Sequence, residues 1–147
     1  MAIQGLYAYR FSGFAVVQEK SFHVIGVGTM TASSDGRIRG QQSSTATKMV
    51  GAHAVLSFAT YSMEGTWWAT RGDGANEYQA SITFDQTGGN EHAPTNQHVE
   101  GNFRIVAAGG VADPGEHLWL ISAGATTDGK ESDEVISGEA VRIAATP

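Results

Sequence analysis

The 147-residue chain contains no cysteine and only three prolines. The absence of cysteine excludes a disulfide framework and thiolate metal sites, but it leaves the cellular compartment open. Nineteen glycines accompany the few prolines. Glycine supplies the backbone conformations that tight turns need, so this composition favours many strands joined by glycine turns.

Positive charge is also sparse. Nine Lys and Arg residues face fifteen Asp and Glu residues, for a net charge of −6, and no basic cluster occurs. Nucleic acids and anionic membranes are bound chiefly through positive charge, so we expect neither as a partner. No apolar run is long enough to span a bilayer. The first seven residues lack the pattern of a signal peptide. The compartment is thus open between the cytoplasm, which we favour, and export with a leader that was removed.

Helical periodicity is missing as well, whereas one hairpin is strongly indicated. Gly65–Thr70 and Glu77–Phe84 are rich in strand-forming residues and flank the cluster Gly72-Asp73-Gly74. Asp-Gly between such runs is typical of a tight hairpin turn. In the second run, apolar and polar residues alternate with the period of a half-buried strand.

The rest of the chain divides into further strands and loops. The predicted strands are Leu6–Val17, Phe22–Ala32, Arg37–Thr47, Val55–Tyr61, Val99–Ala107, His117–Ala123 and Glu134–Ala144. Lys48–Met63 is either a strand of its own or a lead-in to the hairpin, and we favour the separate strand. Arg37–Thr47 has few large apolar residues, which predicts a solvated or edge strand. Loops are predicted at Asp85–Gln97, the longest and a candidate lid, and also at Gly109–Glu116 and Gly124–Asp133.

About eight strands without helices predict an all-β fold in one domain, residues 1–147. Such strands must hide their edges, either by closing or by stacking two sheets. Eight is also the number at which a closed barrel is filled by side chains or holds one small ligand. We therefore predict a closed antiparallel barrel rather than a sandwich.

Strand and turn motifs along nearly the whole chain carry a family resemblance. They are Ser12-Gly13-Phe14, Gly26–Thr31 with Asp35-Gly36, Gly65–Trp68 with Asp73-Gly74, Ser81–Phe84, Phe103–Val106, Leu118–Ser122 and Val135–Arg142. With these motifs the chain resembles small bacterial β-barrel proteins of lipocalin-like (calycin-like) or allene-oxide-cyclase-like type. The resemblance implies the barrel and carries no catalytic signature. The chain departs from it at the double tryptophan Trp67-Trp68 and in longer loops at Thr87–His98 and Val111–His117.

Strand alternation predicts an aromatic interior. The side chains expected to point inward, and hence the candidate ligand-binding residues, are Tyr7, Tyr9, Phe22, Met30, Trp67, Tyr78 and Phe103. Ligand pockets have such walls, mostly apolar with a few polar groups. The same residues would equally fill a solid core, and both interpretations stay open.

Ionisable residues give weaker signals. None of the five histidines forms a pair at metal-ligand spacing, so we expect no metal and no cofactor. The catalytic candidates are His23, Arg104 and Glu139. His23 has a pKa suited to acid–base chemistry. Arg104 and Glu139 lie within predicted strands, where they either face solvent or, if turned inward, acquire a perturbed pKa.

The segment Leu118–Ser122 is apolar on both faces. A strand with one face in water should alternate, so its outer face is either covered by another segment or forms a subunit interface. We favour the homodimer.

These observations predict a barrel that binds one small, largely apolar molecule in its lumen. The alternative is a cofactor-independent cyclase or isomerase that confines a flexible apolar substrate in the same lumen. A packed barrel with a structural role is a third possibility.

Overall fold

The computed structural model describes residues 3–17, 19–70, 76–110 and 113–145. The strands in these ranges are β1 (Gly5–Val17), β2 (Lys20–Ala32), β3 (Arg37–Val50), β4 (His53–Ala69), β5 (Glu77–Gly89), β6 (His98–Gly110), β7 (Asp113–Thr127) and β8 (Lys130–Ala144). The described part of the chain has no helix long and apolar enough to cross a membrane.

The eight strands form one closed antiparallel barrel in chain order. Each strand pairs with the next, and β8 pairs back onto β1, for example through Glu139 and Arg10. Closure gives every strand two neighbours, so no row of unpaired amide and carbonyl groups is left at an edge. The prediction of an all-β, closed, antiparallel eight-stranded barrel is confirmed, and calycin-like architecture fits it.

The strands are strongly staggered. From Tyr7, the pairing runs through Met30, Gly40, Met63, Phe84, Val99 and Thr127 to Lys130 on β8. Across the closing seam, however, Tyr7 pairs with Arg142, which is twelve positions from Lys130. A stagger of this size means that the strands are steeply tilted and the barrel is wide for its strand number.

The tilted strands are longer than the sequence predicted. The prediction of separate strands at Val55–Tyr61 and Gly65–Thr70 was wrong, because the single strand β4 runs unbroken through both. The strand β5 continues to Gly89 and shortens the predicted loop at Asp85–Gln97 to residues 90–97. The loops before and after His117–Ala123 shrink likewise, because β7 extends in both directions.

The Asp-Gly turn at Asp128-Gly129 has the expected conformation. Asp128 and Gly129 both have positive φ, 50° and 78°, between Thr127 and Lys130. This is the conformation of a two-residue primed turn. The turn at Gly72–Gly74 lies outside the described residues, but Trp67 and Ala80 pair as the hairpin requires.

The strand β3 is not an edge, so the edge alternative of the sequence prediction was wrong. It pairs with β2 on one side and with β4 on the other over its length. Its polar side chains therefore do not mark an exposed strand. Those that point inward face the lumen, and the small volume of Ser44 and Ala46 leaves space there.

The two ends of the barrel differ. We call the end at which β1 begins, with the turn at residues 33–36, the closed end. The other end, with the turns at residues 51–52 and 128–129 and the loop at 90–97, is the open end.

Candidate functional site

The closed end is filled by protein. Tyr7 and Leu118 are wholly buried there, and Ile3 packs among them from ahead of β1. Interdigitated side chains of this kind leave no space for a ligand. Ile38 and Ile105, which are also wholly buried, line the adjoining cavity.

The Tyr7 hydroxyl and the Trp67 indole at the closed end also have protein partners. The Tyr7 hydroxyl donates to the carbonyl of Gly115 at 2.6 Å and accepts from the Arg142 guanidinium at 3.1 Å. The Trp67 indole donates to the carbonyl of Ser33 at 3.0 Å and packs edge-on against Tyr78. The polar atoms of these aromatic side chains are therefore satisfied within the protein and do not need a ligand.

Between the closed end and the mouth lies a cavity of about 600 Å³. This volume is within the range of sites for small molecules, about 300–1,000 Å³. Most of its wall is aliphatic or aromatic. The larger apolar side chains that line it include Tyr9, Phe11, Phe22, Val24, Met30, Val55, Tyr61, Met63, Ile82, Phe84, Val99, Phe103, Leu120 and Ile136.

Small residues keep the cavity open. The inward positions of β3 beside it hold Gln42, Ser44 and Ala46 instead of large apolar residues. On β2, a Cβ atom at Gly26 would lie 2.3 Å from the ring of Phe11, and one at Gly28 would lie 2.6 Å from the Tyr9 ring. These glycines let both rings lie flat against the wall, which leaves the centre of the lumen free.

Two tyrosine hydroxyls provide neutral polar groups in the wall. The Tyr9 hydroxyl donates to Oε1 of Gln42 at 2.7 Å, and the Tyr61 hydroxyl donates to Oε1 of Gln97 at 2.6 Å. Burial raises the pKa of both tyrosines above the ordinary value of 10.0. The two groups therefore stay protonated and can orient a polar part of a ligand.

The loop at residues 90–97 is fastened across part of the mouth. Asn90 accepts from the amide of Phe58 at 3.1 Å and donates to the carbonyl of Leu56 at 3.0 Å. On β5, Gln86 donates to the carbonyl of Pro94 and accepts from the amide of Gln97. Because Ala93 and Pro94 line the cavity, the loop forms part of its rim.

Among the described residues one carboxyl group faces the lumen, and it is not one of the residues predicted from the sequence. Glu134 lines the cavity from β8, with Ile136 and Gly138 on the same inward face. Burial raises the pKa of its carboxyl group above the ordinary value of 4.5. Period-two alternation back from Ala140, which is wholly buried, would have placed Glu134 inside. Glu134 thus places an ionisable group in the cavity wall. It lies across the lumen from β4, because β8 and β4 are four strands apart in a ring of eight.

The structure divides the seven predicted ligand-binding residues into two groups. Tyr9, Phe22, Met30 and Phe103 line the cavity. Tyr7, Trp67 and Tyr78 also point inward, but they belong to the packed closed end and do not reach the cavity wall.

The three catalytic candidates all lie on the outer surface. The imidazole of His23 packs on Phe14, and Arg104 donates to Glu77 at 3.4 Å. Glu139 accepts from Arg10 at 2.6 Å and lies 3.0 Å from His117. The hydrogen bond from Arg10, followed by that from His117, lowers the pKa of the Glu139 carboxyl. Their strand positions alternate outward, so none of the three reaches the lumen.

The described residues contain no group of three or more side chains placed to hold a metal ion. Comparisons of the chain with protein-family models, with curated proteins and with solved structures found no match. The fold and the cavity define the class of this protein, a closed eight-stranded antiparallel barrel with an open lumen.

Proposed function

We propose that the barrel binds one small, largely apolar molecule in its lumen. The observation that carries the proposal is the cavity of about 600 Å³, whose wall is mostly aliphatic and aromatic. Apolar surface transferred from water into such a cavity gains roughly 25 cal/mol per Å². The hydroxyls of Tyr9 and Tyr61 provide the few polar groups that fix orientation in sites of this kind.

The first experiment is native mass spectrometry of the purified protein, followed by organic extraction of whatever accompanies it. A stoichiometric apolar adduct is the expected result. A clean mass of the free chain, together with no uptake of the neutral fluorescent probe N-phenyl-1-naphthylamine, would contradict the proposal.

Matched variants locate the binding in the lumen. Ala46 lines the cavity, whereas its neighbour Thr45 points away from it. Ala46→Trp should fill the lumen and abolish probe uptake, while Thr45→Trp should leave uptake unchanged. Equal behaviour of the two variants would place the binding elsewhere on the protein.

A second candidate function is a cofactor-independent isomerase or cyclase that uses the same lumen. Glu134 favours it, because a carboxyl group that lines the lumen, with a pKa raised by burial, can serve as a general acid or base. Glu134 would deliver its proton to one carbon of an unsaturated substrate and take a proton from another, so no oxidant or reductant is needed. Conversion of the extracted molecule that is lost in Glu134→Gln, while its binding persists, is the result expected for an enzyme.

The proposed family is that of the bacterial lipocalin-like or allene-oxide-cyclase-like barrels. The closed eight-stranded antiparallel architecture supports it, together with the motifs described above. The resemblance is compatible with either function, because such barrels differ in what their lumens contain.

A homodimer is proposed from the outer surface of β6 and β7. Trp119 and Ile121 are each 52% exposed, and Val106, which pairs with Trp119, is 48% exposed. Large apolar side chains grouped in this way are typical of subunit interfaces. Sedimentation equilibrium should give a dimer that Trp119→Glu converts to a monomer, and a wild-type monomer at all concentrations would contradict it.

A further inference from the structure

Glu134 has no partner among the residues that the structure describes. Of the described residues lining the cavity, it alone carries a carboxylate. No ion pair or side-chain hydrogen bond joins its carboxyl group to the rest of the described chain. Placing an acidic group in an apolar site without a partner costs free energy. A ligand that supplies the missing partner would recover that cost.

The wall of the cavity that Glu134 lines also suits a cation. Six aromatic rings line the same cavity: Tyr9, Phe11, Phe22, Tyr61, Phe84 and Phe103. The negative face of an aromatic ring attracts an ammonium group, and the attraction is stronger where water is excluded. The net charge of −6 also raises the concentration of cations near the protein.

Two lysines at the rim do not supply the partner. Lys20 and Lys48 line the cavity near its mouth, at the open ends of β2 and β3. Lys20 is exposed, and long flexible stems let such ammonium groups remain in water. Burial, and not a nearby cation, is the cause of the shifted pKa of Glu134. The lysines offer a competing site for an acidic ligand, which the experiment must distinguish.

We propose that the lumen selects apolar molecules that carry a basic nitrogen, with the ammonium group against Glu134 and the apolar part against the aromatic wall. The inference rests on the proposed function, since it names the class of ligand that the lumen takes.

The test uses three probes that share one chain, decylamine, 1-decanol and decanoic acid. Each is titrated against N-phenyl-1-naphthylamine bound to the intact protein at pH 7. Decylamine should displace the probe at concentrations about tenfold lower than 1-decanol, and decanoic acid should be the weakest. Glu134→Gln should bring decylamine to within about threefold of 1-decanol. Glu134→Asp, which keeps the charge, should retain part of the preference.

The control is Glu131→Gln, which removes the same charge from an exposed position on β8. It should leave the order of the three probes unchanged, and thermal unfolding should verify that each variant is folded. Equal binding of decylamine and 1-decanol would overturn the inference while leaving the proposed function intact. Strongest binding of decanoic acid would overturn it in favour of the lysines. If the wild-type protein binds neither the fluorescent probe nor any decyl compound, the proposed function itself fails.

Discussion

The closed and open ends of the barrel are built from the same strands, yet one is solid and the other hollow. At the closed end, Trp67 and Tyr7 fill the interior and direct their polar atoms to protein carbonyls. At the open end, small residues on β3 face the lumen, and Gly26 lets Phe11 lie flat against the wall. Strand alternation determines which side chains point inward, whereas side-chain volume determines whether they meet.

The largest expected difference between the ends is in stability. Leu118 and Leu120 occupy the same face of β7, but Leu118 is wholly buried at the closed end and Leu120 borders the cavity. Leu118→Ala should lower the free energy of unfolding by about 3 kcal/mol, because it leaves a void in packed surroundings. Leu120→Ala should cost about 1 kcal/mol, since its side chain already faces open space. Urea unfolding measures both, and equal losses would mean that the two ends are packed alike.

Added volume should also be tolerated better at the open end. A Cβ atom at Gly65 would lie 2.2 Å from the carbonyl oxygen of Ser81, which is fixed in the sheet. At Gly26 the nearest obstacle is the ring of Phe11, which borders the cavity and can move into it. The nearest backbone atom, the carbonyl oxygen of Ser43, would lie 2.9 Å away, a smaller overlap than at Gly65. We expect a loss of about 3 kcal/mol for Gly65→Ala and about 1 kcal/mol for Gly26→Ala, by analogy with overpacked cores.

The two glycine variants should also differ in binding. Gly26→Ala should weaken uptake of N-phenyl-1-naphthylamine, because the displaced ring occupies the lumen. Thermal unfolding and probe titration of both variants check these results. A more stable Gly65→Ala, or unchanged uptake by a folded Gly26→Ala, would contradict the comparison.

Aromatic truncations should separate affinity from stability. Phe103 lines the cavity, whereas Trp67 does not reach it. Phe103→Ala should weaken binding of N-phenyl-1-naphthylamine about tenfold, which corresponds to about 1.4 kcal/mol. Trp67→Ala should lower stability and leave the affinity of the remaining folded protein within about twofold. The reverse pattern would mean that the ligand site extends into the closed end.

The smallest expected effect concerns pH and contrasts the inside and outside of β8. Burial raises the pKa of Glu134 above 4.5, so folded protein keeps this proton at pH values where the unfolded chain has lost it. Its contribution to stability therefore falls as the pH rises from 4.5 through the raised pKa. Glu134→Gln should remove that decline and make the protein more stable than the wild type at pH 7.

Glu139, on the outer face of the same strand, should behave in the opposite sense. Arg10 and His117 lower its pKa, so its contribution is present above 4.5 and is lost as the pH falls through the lowered pKa. Urea unfolding of Glu134→Gln and Glu139→Gln across acid and neutral pH measures both slopes. For each variant, the slope of unfolding free energy against pH is compared with that of the wild type. Changes of the same sign in the two variants would show that the two carboxyl groups do not differ in environment.

Much of the fold followed from local patterns. The alternation in Tyr78–Phe84 and the Asp-Gly turns predicted antiparallel strands in chain order, and the lack of helices required closure. The limits of the strands were missed, because β4 and β5 are long only as a consequence of the tilt that closure imposes. The candidate site was predicted in part: four of the seven proposed ligand residues line the cavity.

The sequence by itself determined the strand order, the turns and which residues point inward, since these depend on neighbours along the chain. Only the tertiary structure decided that the lumen is hollow at one end and that Glu134 lies beside the cavity and not in the packed end. Whether an inward side chain meets another depends on the volumes contributed by all eight strands at the same height. The position of each residue along the barrel axis is set by the stagger between strands. That stagger brings together residues that are far apart in the sequence.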